Sequence, residues 1–559
     1  MKGLFALLTS LSMLGLVACS SATSSMEDEE DAVESSSSIE ASGSKSEAKD
    51  SSSSTKEISS SSDKGKSSSS TKEGSSSSKG DESSSSKTDE EEENCVGEAG
   101  KAWDGTTAKT FACGSGTKLK PYIIQTAEQL AKLSFIVGAK DPAYNADTYF
   151  KLGADIVLHD EKLVDDKGAL VADSTKLIKW TPIGNANVAF AAHFDGDGHT
   201  VSGMFINTTS THNGLFGNVS GLVENVSVTN SWVQGGKYTA GLVGFSNGDI
   251  KNVSNEASVN SSEECLGGVV GKADRHAYNV NSTIIKAYNK GFITGKKNVG
   301  GIAGCATDIT MDIAENDALI SGTGLVGGIL GGTGSSSNNH IKHLKNRGNV
   351  FGTHFVGGII GNCATSVSLF SAGTYSQRCS EYLICGKIEY VANYGKISGK
   401  DYVAGISGDV CVATVSNAGN AGDIEGNNVV SGVLGYSGYS NTSSMYNIGK
   451  VYGTANIGGI IGYNQEGVTQ AAYTVGEVDG DEEIGVMIGH NYNTTMADYY
   501  YLAQGELEPF GSNDGGGFAT VKTSDDMKKE SFVDLLGDDF ILASGSNSGY
   551  PILKWEIEE

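Results

Sequence analysis

Ten short apolar segments bracketed by glycine recur along this chain, their final glycines at Gly217, Gly244, Gly271, Gly304, Gly331, Gly361, Gly408, Gly435, Gly462 and Gly489. The successive intervals are 27, 27, 33, 27, 30, 47, 27, 27 and 27. A fixed period in this range means stacked repeats in place of an ordinary globular core.

The unit reads most clearly from Tyr446 to Ala472. Asn447-Ile448-Gly449-Lys450-Val451-Tyr452-Gly453 is followed by Ile457-Gly458-Gly459-Ile460-Ile461-Gly462 and then Gly467-Val468-Thr469-Gln470-Ala471. Each piece is short, β-branched or small, and punctuated by Gly or Asn, which suits strands joined by tight corners. Three short strands per 27 residues are expected to make one turn of a parallel β-helix, about ten coils in all, with successive coils one strand spacing apart. Ten coils then make a rod of about 50 Å.

Glycine is expected at corners that need positive φ and where the wall approaches the core closely. Aligned Asn residues can form amide ladders between turns. The 47-residue interval exceeds the period by 20, placing an insertion between Gly361 and Gly408, at Phe370 to Lys387 with Cys379 and Cys385.

Met1-Lys2 followed by the apolar run Leu4 to Val17 is a signal-peptide pattern too short to span a bilayer. Leu16-Val17-Ala18-Cys19 resembles the bacterial lipobox, whose cysteine thiol takes the diacylglycerol, so the resemblance implies lipid attachment at Cys19. Ser20 follows in place of the Asp that marks inner-membrane retention, which favours an outer-membrane or cell-surface site. The expected organisation is a signal peptide at 1–18, the lipidated Cys with a disordered Ser-rich acidic linker at 19–94, and the solenoid at 95–559. The solenoid divides into an N-terminal cap and first coils at 95–213, the glycine-bracketed repeats at 214–497 and a C-terminal cap at 498–559.

A net charge of −27 argues against nucleic acid as a partner, and the membrane is expected to be reached through the lipid. Eight cysteines follow Cys19, allowing up to four disulfides in an exported chain. Cys95 with Cys113 and Cys379 with Cys385 are the local pairings; Cys363 and Cys411 either bridge adjacent coils or serve as small core residues. No Cys-x-x-Cys pair points to zinc.

The stretch before the repeats has an ordered series of blocks: Pro121-Tyr122-Ile123-Ile124, Tyr149-Phe150-Lys151-Leu152, Trp180-Thr181-Pro182-Ile183-Gly184, Phe194-Asp195-Gly196-Asp197-Gly198-His199-Thr200-Val201-Ser202-Gly203 and Gly214-Leu215-Phe216-Gly217. With Gly241-Leu242-Val243-Gly244, it resembles bacterial surface proteins carrying GLUG-motif repeats over most of Cys113 to Glu559. The resemblance implies an all-β solenoid, a right-handed parallel β-helix related in architecture to adhesins, and brings no catalytic residue with it. The late block Gly485-Val486-Met487-Ile488-Gly489 departs from the pattern by lacking the second Gly.

Thr126 to Val137 is predicted to be an amphipathic helix opening with Thr126 and Gln129 at capping-box spacing and covering the first coil. Ser524 to Leu536 reads as a second helix, and Gly549 to Trp555 as a closing strand. Both are expected to protect edges that otherwise recruit further strands.

A β-helix hydrolase needs paired carboxylates, and a lyase needs a calcium-binding acidic cluster with a basic partner. The three arginines, Arg275, Arg347 and Arg378, lie in different repeat phases, and no carboxylate pair recurs in a column. Asp195-Gly196-Asp197-Gly198 lacks later acidic ligands and reads as a turn. His340 and His343 lack the spacing and glutamate of a zincin helix. No catalytic residue, metal or cofactor is expected.

Tyr446, Tyr473 and Tyr500 are spaced by 27 and share one column, while Tyr436, Tyr463 and His490 form another. Exposed, Tyr436, Tyr463, Tyr446 and Tyr473 can stack on sugar rings; turned inward, they fill the coil. The expectation is a non-enzymatic, lipid-anchored surface β-helix, an adhesin-like binder of a polysaccharide or cell surface. A carbohydrate-active enzyme on the same scaffold and a structural envelope spacer are the alternatives.

Overall fold

The computed structural model describes residues 95–558 apart from 143, 276, 278–279, 364–378, 380–382, 544 and 546. The signal peptide, Cys19, the linker, Arg378 and most of the insertion therefore lie outside the described residues. Those described belong to one compact unit.

That unit is a parallel β-solenoid. A regular coil has four strands where three were expected, for example Asn441–Asn447, Val451–Tyr452, Ala455–Gly458 and Ile461–Gln465. The piece Ile457 to Gly462, read as one strand, is two, Ala455–Gly458 and Ile461–Gln465, with the chain turning between them at Gly459 and Ile460. Stacked coils give four sheets of 16, 10, 9 and 11 strands. The ladder through the long-strand face passes through fourteen strands, from Tyr122–Ile124 to Thr520–Lys522. The solenoid is thus longer than ten coils, because the coils before Gly217 and after Gly489 lack the glycine bracket. The irregular Gly485–Gly489 block keeps register, Gly458 pairing with Gly485 and Ile461 with Ile488.

Period-2 alternation puts one side of each strand inside. Ile284, Met311, Ile341, Ile388 and Val415 align on successive long strands, and all are buried. Each buried aliphatic side chain of this kind contributes about 1.5–3 kcal/mol. At one corner Asn255, Asn289, Asn316, Asn346, Asn393, Asn420 and Asn447 form the expected ladder, each Nδ2 donating to the next Oδ1 at 2.7–2.8 Å. The same amides donate to carbonyls two residues onward, so both Nδ2 protons are used. The ladder ends on Thr474 Oγ1 at 3.3 Å from Asn447.

Close approach explains the repeat glycines; positive φ does not. A Cβ on Gly244 would lie 2.6 Å from the Asn213 nitrogen and 2.8 Å from the Gly217 carbonyl oxygen, yet its φ is ordinary. The left-handed conformations instead fall within strands, on side-chain-bearing residues in two columns, one including Asn252, Lys286, Ile313 and Ser444, the other Asn298, Phe355, Tyr402 and Val429. Each such residue costs about 1–2 kcal/mol, which the ladder bonds on either side over-determine.

Helix α1 spans Ala127–Gly138 with the predicted capping box of Thr126 and Gln129. Its Leu130, Leu133, Ile136 and Val137 join the coil core while Phe135 faces out. The predicted C-terminal helix is two short ones, α2 at Ser524–Met527 and α3 at Glu530–Leu536. The closing strand is only Ile552–Leu553, paired antiparallel with Phe540–Ile541 and followed by a 3-10 turn.

Cys95–Cys113 forms as expected. Cys379 pairs with Cys411 instead of Cys385, which pairs with Cys363, and Cys265–Cys305 completes the set. Cys363 and Cys411 therefore bridge neither to each other nor sit as free core residues. Both tether the insertion, which the strand beginning at Gly386 ends earlier than the Lys387 expected.

Candidate functional site

Both aromatic columns exist in the predicted register. Tyr446 pairs with Tyr473 and Tyr473 with Tyr500; Tyr436 pairs with Tyr463 and Tyr463 with His490. In the first column the preceding residues Met445, Ala472 and Tyr499 belong to the coil core, so the next residues point outward.

Outward does not mean exposed here. Tyr446 and Tyr473, stacked at 5.7 Å, are fully buried, and Tyr500 is 7% exposed. The C-terminal segment turns back along the outer face and covers them. Phe532 and Phe540 meet the Tyr473 ring edge-on at 5.7 and 6.0 Å, and Phe532 meets Tyr500 at 5.4 Å. Tyr473 donates its hydroxyl proton to the Pro551 carbonyl oxygen. Tyr394 and Tyr446 donate to Oε2 of Glu556 at 2.6 and 3.0 Å. Farther back, Trp555 packs on Tyr390 and His343. Burial raises the Tyr446 and Tyr473 phenols well above their usual range, and burial likewise raises the Glu556 carboxyl against the pull of its hydroxyl donors. Tyr446 and Tyr473 are thus neither an open sugar platform nor coil filling, but the seat of a strap whose sequence carries no 27-residue signal. The C-terminal segment therefore covers the side of the solenoid, where an end cap was expected.

The second column is covered at one end and opens at the other. Tyr436 is fully buried against Cys379 and Leu383 of the insertion, and its hydroxyl donates to Gln465 Oε1 at 2.6 Å. Tyr463 stacks on it at 5.6 Å and on His490 at 4.6 Å, the last two rings nearly parallel at 4°. Tyr463 and His490 are half-buried. Tyr492, two residues beyond His490 on the same strand, is 42% exposed, so this face presents the edges of the stacked Tyr463–His490 pair with an exposed tyrosine ring beside them.

Sequence reasoning missed the acids beside His490. Glu483 Oε2 lies 3.4 Å from its Nδ1 and Asp514 Oδ2 3.7 Å from its Nε2. Glu483 sits at a corner seven residues upstream, and Asp514 lies beyond the last glycine bracket, so neither belongs to the repeat column that singled out the histidine. The group can donate and accept hydrogen bonds next to an aromatic face, which is the chemistry a hydroxylated ring requires.

Other candidates resolve into structural pairs. Asp195 Oδ1 accepts from the Asp197 nitrogen and from Asn225 Nδ2, both at 2.9 Å, while Asp197 and Gly198 have positive φ: the segment is a turn. His340 meets Glu389 at 2.8 Å and His343 meets Asp312 at 2.7 Å across coils. Arg275 pairs with Asp308 and Arg347 with Glu315. Among the described residues, one set of three metal-ligand types converges, Cys379, Asp409 and Cys411, and its two sulfurs are joined in a disulfide. No helix among the described residues is long and apolar enough to cross a membrane.

No protein-family model matches the chain. Halomucin of Haloquadratum walsbyi is 30% identical over 177 residues, 31% of this chain and 2% of that protein. A protein of Evansella cellulosilytica described as a "Putative Gly-rich membrane protein" is 35% identical over 155 residues, 27% of this chain and 16% of its own length. The matches thus span only a small part of either relative. Among solved structures, one described as a "putative immunoglobulin A1 protease from Bacteroides ovatus" overlaps 80% of this chain and 95% of its own at 14% identity, with a TM-score of 0.27. An overlap that loose transfers no activity.

Proposed function

We propose that this protein is a non-enzymatic, lipid-anchored β-helix of the cell surface or outer membrane, an adhesin-like binder of polysaccharide built from GLUG-type repeats. The observation that carries the reading is the half-open group of Tyr463, His490 and Tyr492 on the outer wall of a rigid solenoid. The exposed Tyr492 ring beside the stacked pair offers an aromatic surface to a sugar ring, and the hydrogen-bonding groups around His490 lie next to it. The lipobox at Leu16 to Cys19 supports the anchor, and the match to a relative described as a membrane protein supports the location.

A glycan array probed with the full chain tests the binding reading. Retention on polysaccharide that Tyr463→Ala reduces at least tenfold is expected, and absence of wild-type binding to any glycan would sink it. Labelled palmitate should enter the wild type and not Cys19→Ala; equal labelling would remove the anchor.

A further inference from the structure

A second cleft lies beside α1, at the N-terminal end of the solenoid. Its volume is about 360 Å³, and its lining includes Phe111, Tyr122, Tyr144, Lys109, Lys132 and Asp141. Phe111 and Tyr122 are partly exposed, 4.9 Å apart between ring centroids, and Lys132 Nζ lies 5.5 Å from the Phe111 centroid. The volume falls in the usual range for a small-ligand site, and aromatic faces with a few polar groups are its usual lining.

What sets this cleft apart is two lysines meeting an aromatic lining in one cavity. Several lysines on the coils are neutralised across strands, as in Lys237–Glu264, Lys342–Asp312, Lys396–Glu425 and Lys450–Glu477, although others such as Lys286 and Lys290 hold no ion pair among the described residues. Neither Lys109 nor Lys132 forms an ion pair among the described residues. Residues 95–148 carry six lysines against five acids in a chain of net charge −27, so the cap is near neutral on a strongly acidic protein. The neighbouring cleft across α1, lined by Trp103, Phe135 and Trp180, lacks this feature: its lysine, Lys179, already donates to the Asn207 carbonyl oxygen at 3.0 Å.

We infer that the cleft of Phe111, Tyr122, Lys109 and Lys132 is a binding site for an acidic pyranose, a uronate-type unit of a polysaccharide. The ring's C–H face lies on the aromatic pair and its carboxylate meets the two ammonium groups. Two ammonium groups attract an anion, and the aromatic floor selects a flat ring over a plain anion. The inference rests on the polysaccharide-binding reading and names a site and ligand class for it, separate from Tyr463.

Calorimetric titration of the full chain in detergent with tetragalacturonate tests it. The Lys109→Gln/Lys132→Gln variant, altered at side chains that hold no ion pair, should keep its thermal midpoint and lose at least tenfold in affinity, while Tyr463→Ala keeps tetragalacturonate binding. Maltotetraose and tetraglutamate, lacking the carboxylate and the ring respectively, should each bind at least tenfold more weakly. Unchanged affinity in the lysine variant, or equal binding of tetraglutamate, overturns the site. Loss in Tyr463→Ala but not in the lysine variant overturns the cleft and leaves the polysaccharide reading standing; no wild-type binding to tetragalacturonate or to any array glycan ends both.

Discussion

The two aromatic columns arise from the same period and meet opposite fates. Tyr446, Tyr473 and Tyr500 are sealed by a strap that brings its own Phe532, Phe540, Leu553 and Trp555. Tyr436 is sealed by an insertion held through Cys379–Cys411, but Tyr463 and His490, one and two coils on, are left half-open. An outward aromatic column is therefore not itself a binding surface. It becomes structural wherever a neighbouring segment supplies enough apolar area to cover it, and stays partly exposed to solvent where the cover stops.

The largest effect should follow from breaking the sealed column. Tyr473→Ala removes a fully buried ring at the centre of the strap contact and should cost about 3–5 kcal/mol in urea unfolding, with proteolysis appearing first in residues 524–558. Wild-type stability would show that the strap does not depend on the column. Next, replacing Cys379 and Cys411 together by Ser should cost about 2–4 kcal/mol and make Tyr436 accessible to solvent quenchers; unchanged Tyr436 accessibility would mean that packing alone holds the insertion.

A smaller effect is a pH dependence confined to the strap. Because burial raises the Glu556 pKa above its unfolded value, the folded chain holds that proton more tightly, and stability rises as pH falls through the folded value toward the unfolded one. The urea midpoint should increase between pH 7 and pH 5 by more in the wild type than in Glu556→Gln. Equal increments would place the dependence elsewhere. At alkaline pH the buried phenols act in the same sense, over a higher window: Tyr499, pushed up to about 12 by burial, stays neutral in the fold while the unfolded chain ionises near the ordinary value. Stability should therefore fall above about pH 10, with phenolate absorbance rising only as the chain unfolds.

Much of this was legible in the sequence. The period gave the parallel solenoid, the shared columns and the Asn ladder, since equivalent positions of stacked coils must coincide. Thr126 and Gln129 gave the first helix because capping is local. What the period could not show lies outside it: the strap residues from Phe532 to Glu556 repeat nothing, and Glu483 and Asp514 reach His490 from a corner and from beyond the repeats. Tyr446 and Tyr463 look alike in sequence because their covers come from distant segments. The pairing of Cys379 with Cys411 was hidden for the same reason, since spacing favours the nearer Cys385.

The most direct test sets Tyr463→Ala beside Tyr473→Ala on one glycan array, with urea unfolding measured on both. Tyr463→Ala should lose at least tenfold in binding with a smaller loss of stability than Tyr473→Ala. Tyr473→Ala should lose stability while its folded fraction retains glycan. Equal loss of binding in the two variants, or none in Tyr463→Ala, would contradict the division between a sealed column and an open one.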